Sequence, residues 1–111
     1  AKGARMAKYL VTVSYTAEGA KGVRKDGGTK RRKVAGKAVE SVGGKLESFY
    51  FSFGAQDALV IVDMPDNVSA AALSLAINAS GAVHATTTPL LTPEEMDKAS
   101  GKKTAYKAPG A

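Results

Sequence analysis

Apolar and polar residues begin to alternate at Lys8. Tyr9, Val11, Val13 and Tyr15 fall on one side, and Leu10, Thr12 and Ser14 on the other. Period two over this length predicts a β-strand. Residues 16–22 allow one short helical turn, weakened by Gly19 and Gly22. Gly27-Gly28 reads as a loop, with Thr29 as the N-cap of a helix over residues 30–42. In that helix Val34, Ala35, Ala38, Val39 and Val42 gather on one side and Lys33, Lys37 and Glu40 fall opposite. Arg31 breaks the pattern, because it stands on the apolar face in line with Ala35, Ala38 and Val42. Gly43-Gly44 supplies the C-cap.

Residues 43–66 read as a hairpin around the turn Gly54-Ala55-Gln56-Asp57. Simple alternation puts Glu47, Phe49, Phe51 and Phe53 on one face of its first strand and Leu46, Ser48, Tyr50 and Ser52 on the other. In its second strand Leu59 and Ile61 oppose Ala58, Val60 and Val62. Both faces of both strands carry apolar residues, so both are expected to be covered. Met64-Pro65 stops the strand, and Asp66 or Asn67 caps a second helix. Its inward seam is expected to be Val68, Ala72, Leu75 and Ala79, with Leu73 and Ile77 on its back. Gly81 ends it, and residues 82–91 form a fourth strand. Thr92-Pro93-Glu94-Glu95 opens a short last helix, to about Ser100.

The order β-α-β-β-α-β predicts an α+β, ferredoxin-like fold: a four-stranded antiparallel sheet with two helices on one face, plus a short C-terminal helix. Two helices cover one face only. The other face is expected to pack on a second copy of the chain, as a homo-oligomer of at least a dimer, with Phe49, Phe51, Phe53, Leu73 and Ile77 as interface residues.

Length and charge refine this picture. The 111 residues suffice for one domain, over residues 6–100. Residues 1–5 read as a leader remnant and residues 101–111 as a mobile tail. There is no Cys, so disulfides, thiol nucleophiles, Cys-based zinc sites and iron–sulfur ligation are excluded. No secretory leader or membrane span is readable, and the cytoplasm is the expected location. The net charge is +6. Residues 21–37 concentrate the cations, whereas residues 67–93 contain no Asp, Glu, Lys or Arg.

Arg31 and Asp57 are the leading candidate site pair. An Arg on an apolar helix face needs a partner, and Asp57 opens a neighbouring strand. One reading is a polar pocket between helix and sheet for an anionic or hydroxylated ligand, with Arg31 as donor and Asp57 as acceptor or base. The other is a structural ion pair or turn cap. His84, the only His, shares a strand face with Thr86 and Thr88; it is either a general base or ligand contact, or a hydrogen-bonded structural side chain. It gives no metal signature, and no cofactor is indicated. Tyr9, Tyr15 and Tyr50 could line a pocket or pack the core. Gly27-Gly28 lacks the Lys-Ser/Thr of a phosphate-binding loop. The basic segment 21–37 could attract nucleic acid or another acidic partner weakly.

Several of these motifs together resemble the GYD-domain family. They are Tyr9 to Tyr15, Lys25-Asp26-Gly27-Gly28-Thr29-Lys30-Arg31, Gly43-Gly44-Lys45, Phe49-Tyr50, Gly54-Ala55-Gln56-Asp57, Ala71-Ala72-Leu73 and Leu91-Thr92-Pro93-Glu94-Glu95, in order over residues 6–98. Gln56 stands where the family usually has Tyr. The resemblance implies a fold similar to the dimeric α+β barrels, which include cofactor-free monooxygenases and small isomerases, and it implies no particular reaction. The function expected is binding of a small organic ligand between sheet and helices in a homo-oligomer. The alternatives are a purely structural or assembly subunit, and weak nucleic-acid or acidic-partner binding through residues 21–37.

Overall fold

The computed structural model describes residues 6–111; the leader expected at residues 1–5 lies outside them. The elements are β1 (Ala7–Tyr15), α1 (Ala17–Asp26), α2 (Gly28–Ser41), β2 (Lys45–Phe51), β3 (Ala58–Met64), α3 (Asn67–Ala79), β4 (Val83–Leu90) and α4 (Pro93–Gly101). The sheet order is β2-β3-β1-β4, with every pairing antiparallel. This is the ferredoxin-like α+β arrangement expected from the sequence. Pro89 lies on the edge strand β4, where a missing N–H is tolerated. No helix among the described residues is long and apolar enough to cross a membrane.

The region expected to hold one helical turn is a ten-residue helix, α1. Thr16 caps it, accepting from the Gly19 N–H at 3.2 Å. Thr16 also ties the helix start to the loop before β4, because its own N–H donates to the Ala82 carbonyl at 3.1 Å. Gly19 is buried there: a Cβ at this position would lie 2.0 Å from the Ala82 oxygen. The glycine that looked like a helix weakener is therefore what lets α1 approach the loop.

Gly27, at φ 80°, breaks α1 from α2. Helix α2 starts at Gly28, so Thr29 lies inside it rather than capping it, and Gly27 is the N-cap without a side-chain bond. At the other end, Gly43 and Gly44 donate to the carbonyls of Glu40 and Val39 at 3.0 Å each, as a glycine C-cap should. Asp66 caps α3 by accepting from Ser69 N–H at 2.7 Å. Thr92 and Glu95 form a reciprocal capping box at the start of α4.

Two side-chain placements differ from expectation. A register shift between Leu46 and Ser48 puts Leu46 opposite Val62, Phe49 opposite Val60 and Phe51 opposite Ala58. Leu46 thus joins Phe49 and Phe51 on the helix side, while Ser48 and Tyr50 point the other way. Phe53 lies beyond the end of β2 and is fully exposed.

Helix α3 is turned about its axis relative to the expected seam. Leu73 is 7% exposed and Ile77 packs against the core, whereas Val68 and Leu75 are 78% and 72% exposed. Leu73 and Ile77 are therefore inward residues and not a back face offered to a partner. A side-chain clasp at the helix end accompanies this orientation. The Asn78 amide clasps the edge strand, its Nδ2 donating to the Ala85 carbonyl at 3.1 Å and its Oδ1 accepting from Ala85 N–H at 2.8 Å. Ala70, Leu73 and Ile77 face the sheet beside this clasp.

The core lies between the helices and one sheet face. Tyr9, Val11 and Val13 of β1, Val60, Val62 and Met64 of β3, and Ala85 of β4 meet Val39, Ala70 and Leu73 from above. The opposite face carries Leu10, Thr12 and Ser14, Leu59 and Ile61, Tyr50, and His84, Thr86 and Thr88, by register. Lys8 on this face pairs with Glu47 and with Asp63, the latter at 2.9 Å. Residues 102–111 carry no helix or strand and are exposed.

Candidate functional site

Helix α2 packs over β2 and helix α3 over β4. The strands between them, β1 and β3, form the floor of a gap. Facing positions on the two helices are small, Ala35 and Ala38 on α2 and Ala76 on α3, so the gap is not filled. The result is a cavity of about 300 Å³. Its floor is Val11, Val13, Val60 and Val62, and its walls include Val39, Leu73 and Ile77. The polar side chains lining it are Tyr15, Arg31 and Ser80.

Arg31 is in the first turn of α2, where the bend at Gly27 sends the helix back over the sheet. Its side chain is 30% exposed, and its Nη1 lies 3.7 Å from the Asp26 carboxylate. Asp26 also faces Lys30 at 3.5 Å. The Arg31 contact exceeds hydrogen-bond length and Asp26 is shared with Lys30, so Asp26 compensates Arg31 only loosely.

Tyr15 ends β1 and lines the cavity with Arg31. Burial pushes its phenol above the ordinary tyrosine value; the positive charge of Arg31 opposes this, and the negative charge of Asp57 adds to it.

Asp57 does not line this cavity. It closes the end of the sheet, its N–H donating to the Val13 carbonyl at 2.8 Å and its carboxylate accepting from the Tyr15 N–H at 2.8 Å. It borders a second, more open depression with Gly28, Phe51, Ser52 and Phe53, and Tyr15 is the wall between the two. Arg31 and Asp57 are thus joined through Tyr15, while the carboxylate nearest Arg31 is Asp26.

The remaining candidates lie elsewhere. His84 is exposed on the open sheet face opposite Ser14, away from Arg31. Tyr50 is on that face too and is 70% exposed. Tyr9 is buried under the helices, where its hydroxyl donates to the Asn67 Oδ1. Of the three tyrosines grouped by sequence, Tyr15 is the one that reaches the cavity. Ser80 carried no signal, since it lies just past the α3 terminus. Gln56 accepts from the Ser14 hydroxyl at 3.4 Å. The basic residues of segment 21–37 lie on α1 and α2, mostly exposed. Among the described residues no group of three or more His, Asp or Glu could hold a metal ion.

No curated protein and no solved structure matches the chain. A family model does, that of the GYD domain, over residues 9–100. The match runs from within β1 into α4 and includes the floor and both walls of the cavity. The chain therefore belongs to the GYD domain family.

Proposed function

We propose that this protein binds a small organic molecule, apolar along most of its length with one polar end, in the cavity between the sheet and helices α2 and α3. One observation carries the reading: an otherwise apolar cavity of about 300 Å³ has a guanidinium and a phenol close together in its lining. That volume is at the small end of the range of about 300–1,000 Å³ for ligand sites, and a few polar groups in an apolar lining are their usual composition.

The test is a two-dimensional amide NMR titration of the full chain with eight-carbon ligands such as 1-octanol and octanoate. Binding moves the amides of Val13, Ala35, Leu73 and Ile77 together. An Ala76→Leu variant, which fills the gap, abolishes the response. Absence of any saturable response in the wild type rejects the reading.

The reading includes a homo-oligomer assembled through the open sheet face. Leu10, Leu59, Ile61 and Tyr50 form an apolar strip there, bordered by the Lys8 ion pairs. A domain of this size gains from burying further apolar surface. Sedimentation at micromolar concentration is expected to give at least a dimer, and Ile61→Lys to shift it toward monomer. A wild-type protein that sediments as a monomer throughout that range rules the assembly out.

A further inference from the structure

We infer that the occupant of this cavity is an amphiphilic monocarboxylate, its carboxylate held by Arg31 and its apolar body lying over the valine floor of β1 and β3. The inference rests on the ligand-binding reading and specifies the chemistry of its polar end.

Among the described residues Arg31 is the sole charged side chain lining the cavity. Its contact with Asp26 is too long to be a hydrogen bond, and Lys30 competes for the same carboxylate. A guanidinium has five donors in a planar fork, which matches a carboxylate with two parallel bonds. The surroundings favour the same sign of ligand. Helices α1 and α2 carry eight basic residues, Lys21, Arg24, Lys25, Lys30, Arg31, Arg32, Lys33 and Lys37, against Glu18, Asp26 and Glu40. That excess attracts an anion to the Arg31 end and repels a cationic amphiphile.

A single guanidinium balances a single charge. A doubly charged phosphate monoester would leave one charge uncompensated against apolar walls, which is costly. Size limits the body. At the ~30 Å³ that one molecule occupies in liquid water, the cavity holds about ten non-hydrogen atoms. Octanoate has that size, as do small aromatic carboxylates.

The experiment compares octanoate, 1-octanol, octylamine and octyl phosphate by calorimetry and amide NMR on the full chain. Octanoate is expected to bind about tenfold or more tighter than 1-octanol, the range of a hydrogen bond to a charged group. Octylamine should bind most weakly and octyl phosphate below octanoate. Arg31→Met is expected to erase the preference for octanoate over 1-octanol, the ratio of the two affinities being the readout. Arg31→Lys, which keeps the charge and loses the fork, should retain part of the preference. Lys33→Met, a cation outside the lining, should leave the ratio unchanged.

Equal affinity of the wild type for octanoate and 1-octanol overturns the carboxylate assignment and leaves the ligand-binding reading standing. Tighter binding of octyl phosphate overturns it in favour of a dianion. Octanoate shifts confined to the exposed lysines of α1 and α2 overturn it as surface ion pairing. Failure of every ligand to move the cavity amides removes the underlying reading. These comparisons need only the wild type, so they decide the matter even if Arg31→Met does not fold.

Discussion

The Asp57 carboxylate accepts the backbone N–H of Tyr15 at 2.8 Å. This bond joins the family's turn to the end of β1. It also ties the turn to a cavity that it does not touch, because it anchors Tyr15, which lines that cavity. Asp57→Ala removes the acceptor from a partly buried N–H and is expected to cost about 1–3 kcal/mol. Asp57→Asn keeps a carbonyl oxygen in place and should cost less than Asp57→Ala. Urea unfolding at fixed protein concentration measures both. Equal stability of Asp57→Ala and wild type would show that the bond contributes nothing.

Much of the fold is legible in the chain. The alternation over residues 8–15, the cap at Asp66 and the capping box at Thr92 each describe a local event, and local events are written in neighbouring residues. The spacing that set Arg31 in line with Ala35 and Ala38 was also informative, since all three line the cavity. What was hidden depends on distant contacts. The bulge between Leu46 and Ser48 is a relation between two strands, and alternation within one strand cannot reveal it. The carboxylate nearest Arg31 is set by the bend at Gly27, which brings Asp26 beside it.

Helix α3 is the clearest case. It has no charged residue, and two apolar stripes run along it: Val68, Ala72, Leu75 and Ala79, and Ala70, Leu73 and Ile77. Periodicity alone supports either as the buried one. In the folded chain the second faces the sheet, and Asn78 clasps Ala85 beside it. Leu73→Ala is therefore expected to cost about 2–5 kcal/mol, as a buried truncation. Leu75→Ser should stay within about 0.5 kcal/mol of wild type, as an exposed change. Asn78→Ala strips the Ala85 N–H and carbonyl of their partner and should cost about 1–3 kcal/mol. A larger loss from Leu75→Ser than from Leu73→Ala would mean that the helix faces the other way.

Two glycines in α1 make an internal control. A Cβ on Gly19 would lie 2.0 Å from the Ala82 oxygen, a backbone atom that cannot swing aside. A Cβ on Gly22 meets nothing within 4 Å. Gly19→Ala is expected to destabilise by about 1–3 kcal/mol through overpacking. Gly22→Ala should stabilise by roughly 0.5–1 kcal/mol, the helix preference of Ala over Gly. Thermal or urea melts decide. If the two substitutions act alike, the close approach of α1 to the loop before β4 is wrong.

Tyr15 links stability to alkaline pH. Its phenol is raised above the ordinary value of 10.0, first by burial, with Arg31 opposing and Asp57 reinforcing the shift. A raised value means that the folded protein holds the proton more tightly than the unfolded chain does. Its contribution to stability is therefore complete below about pH 10 and is lost as pH rises through the folded-state value. Tyr15→Phe keeps the ring and deletes the ionisation. Its stability should fall less steeply than that of the wild type above pH 10. The difference between the two proteins in phenolate absorbance should have its midpoint above 10.0. A filled cavity excludes more water from the phenol, so saturating octanoate or 1-octanol should move that midpoint further up. A midpoint at or below 10.0 in the free protein, or one that no cavity ligand moves, would remove Tyr15 from the buried end of the site.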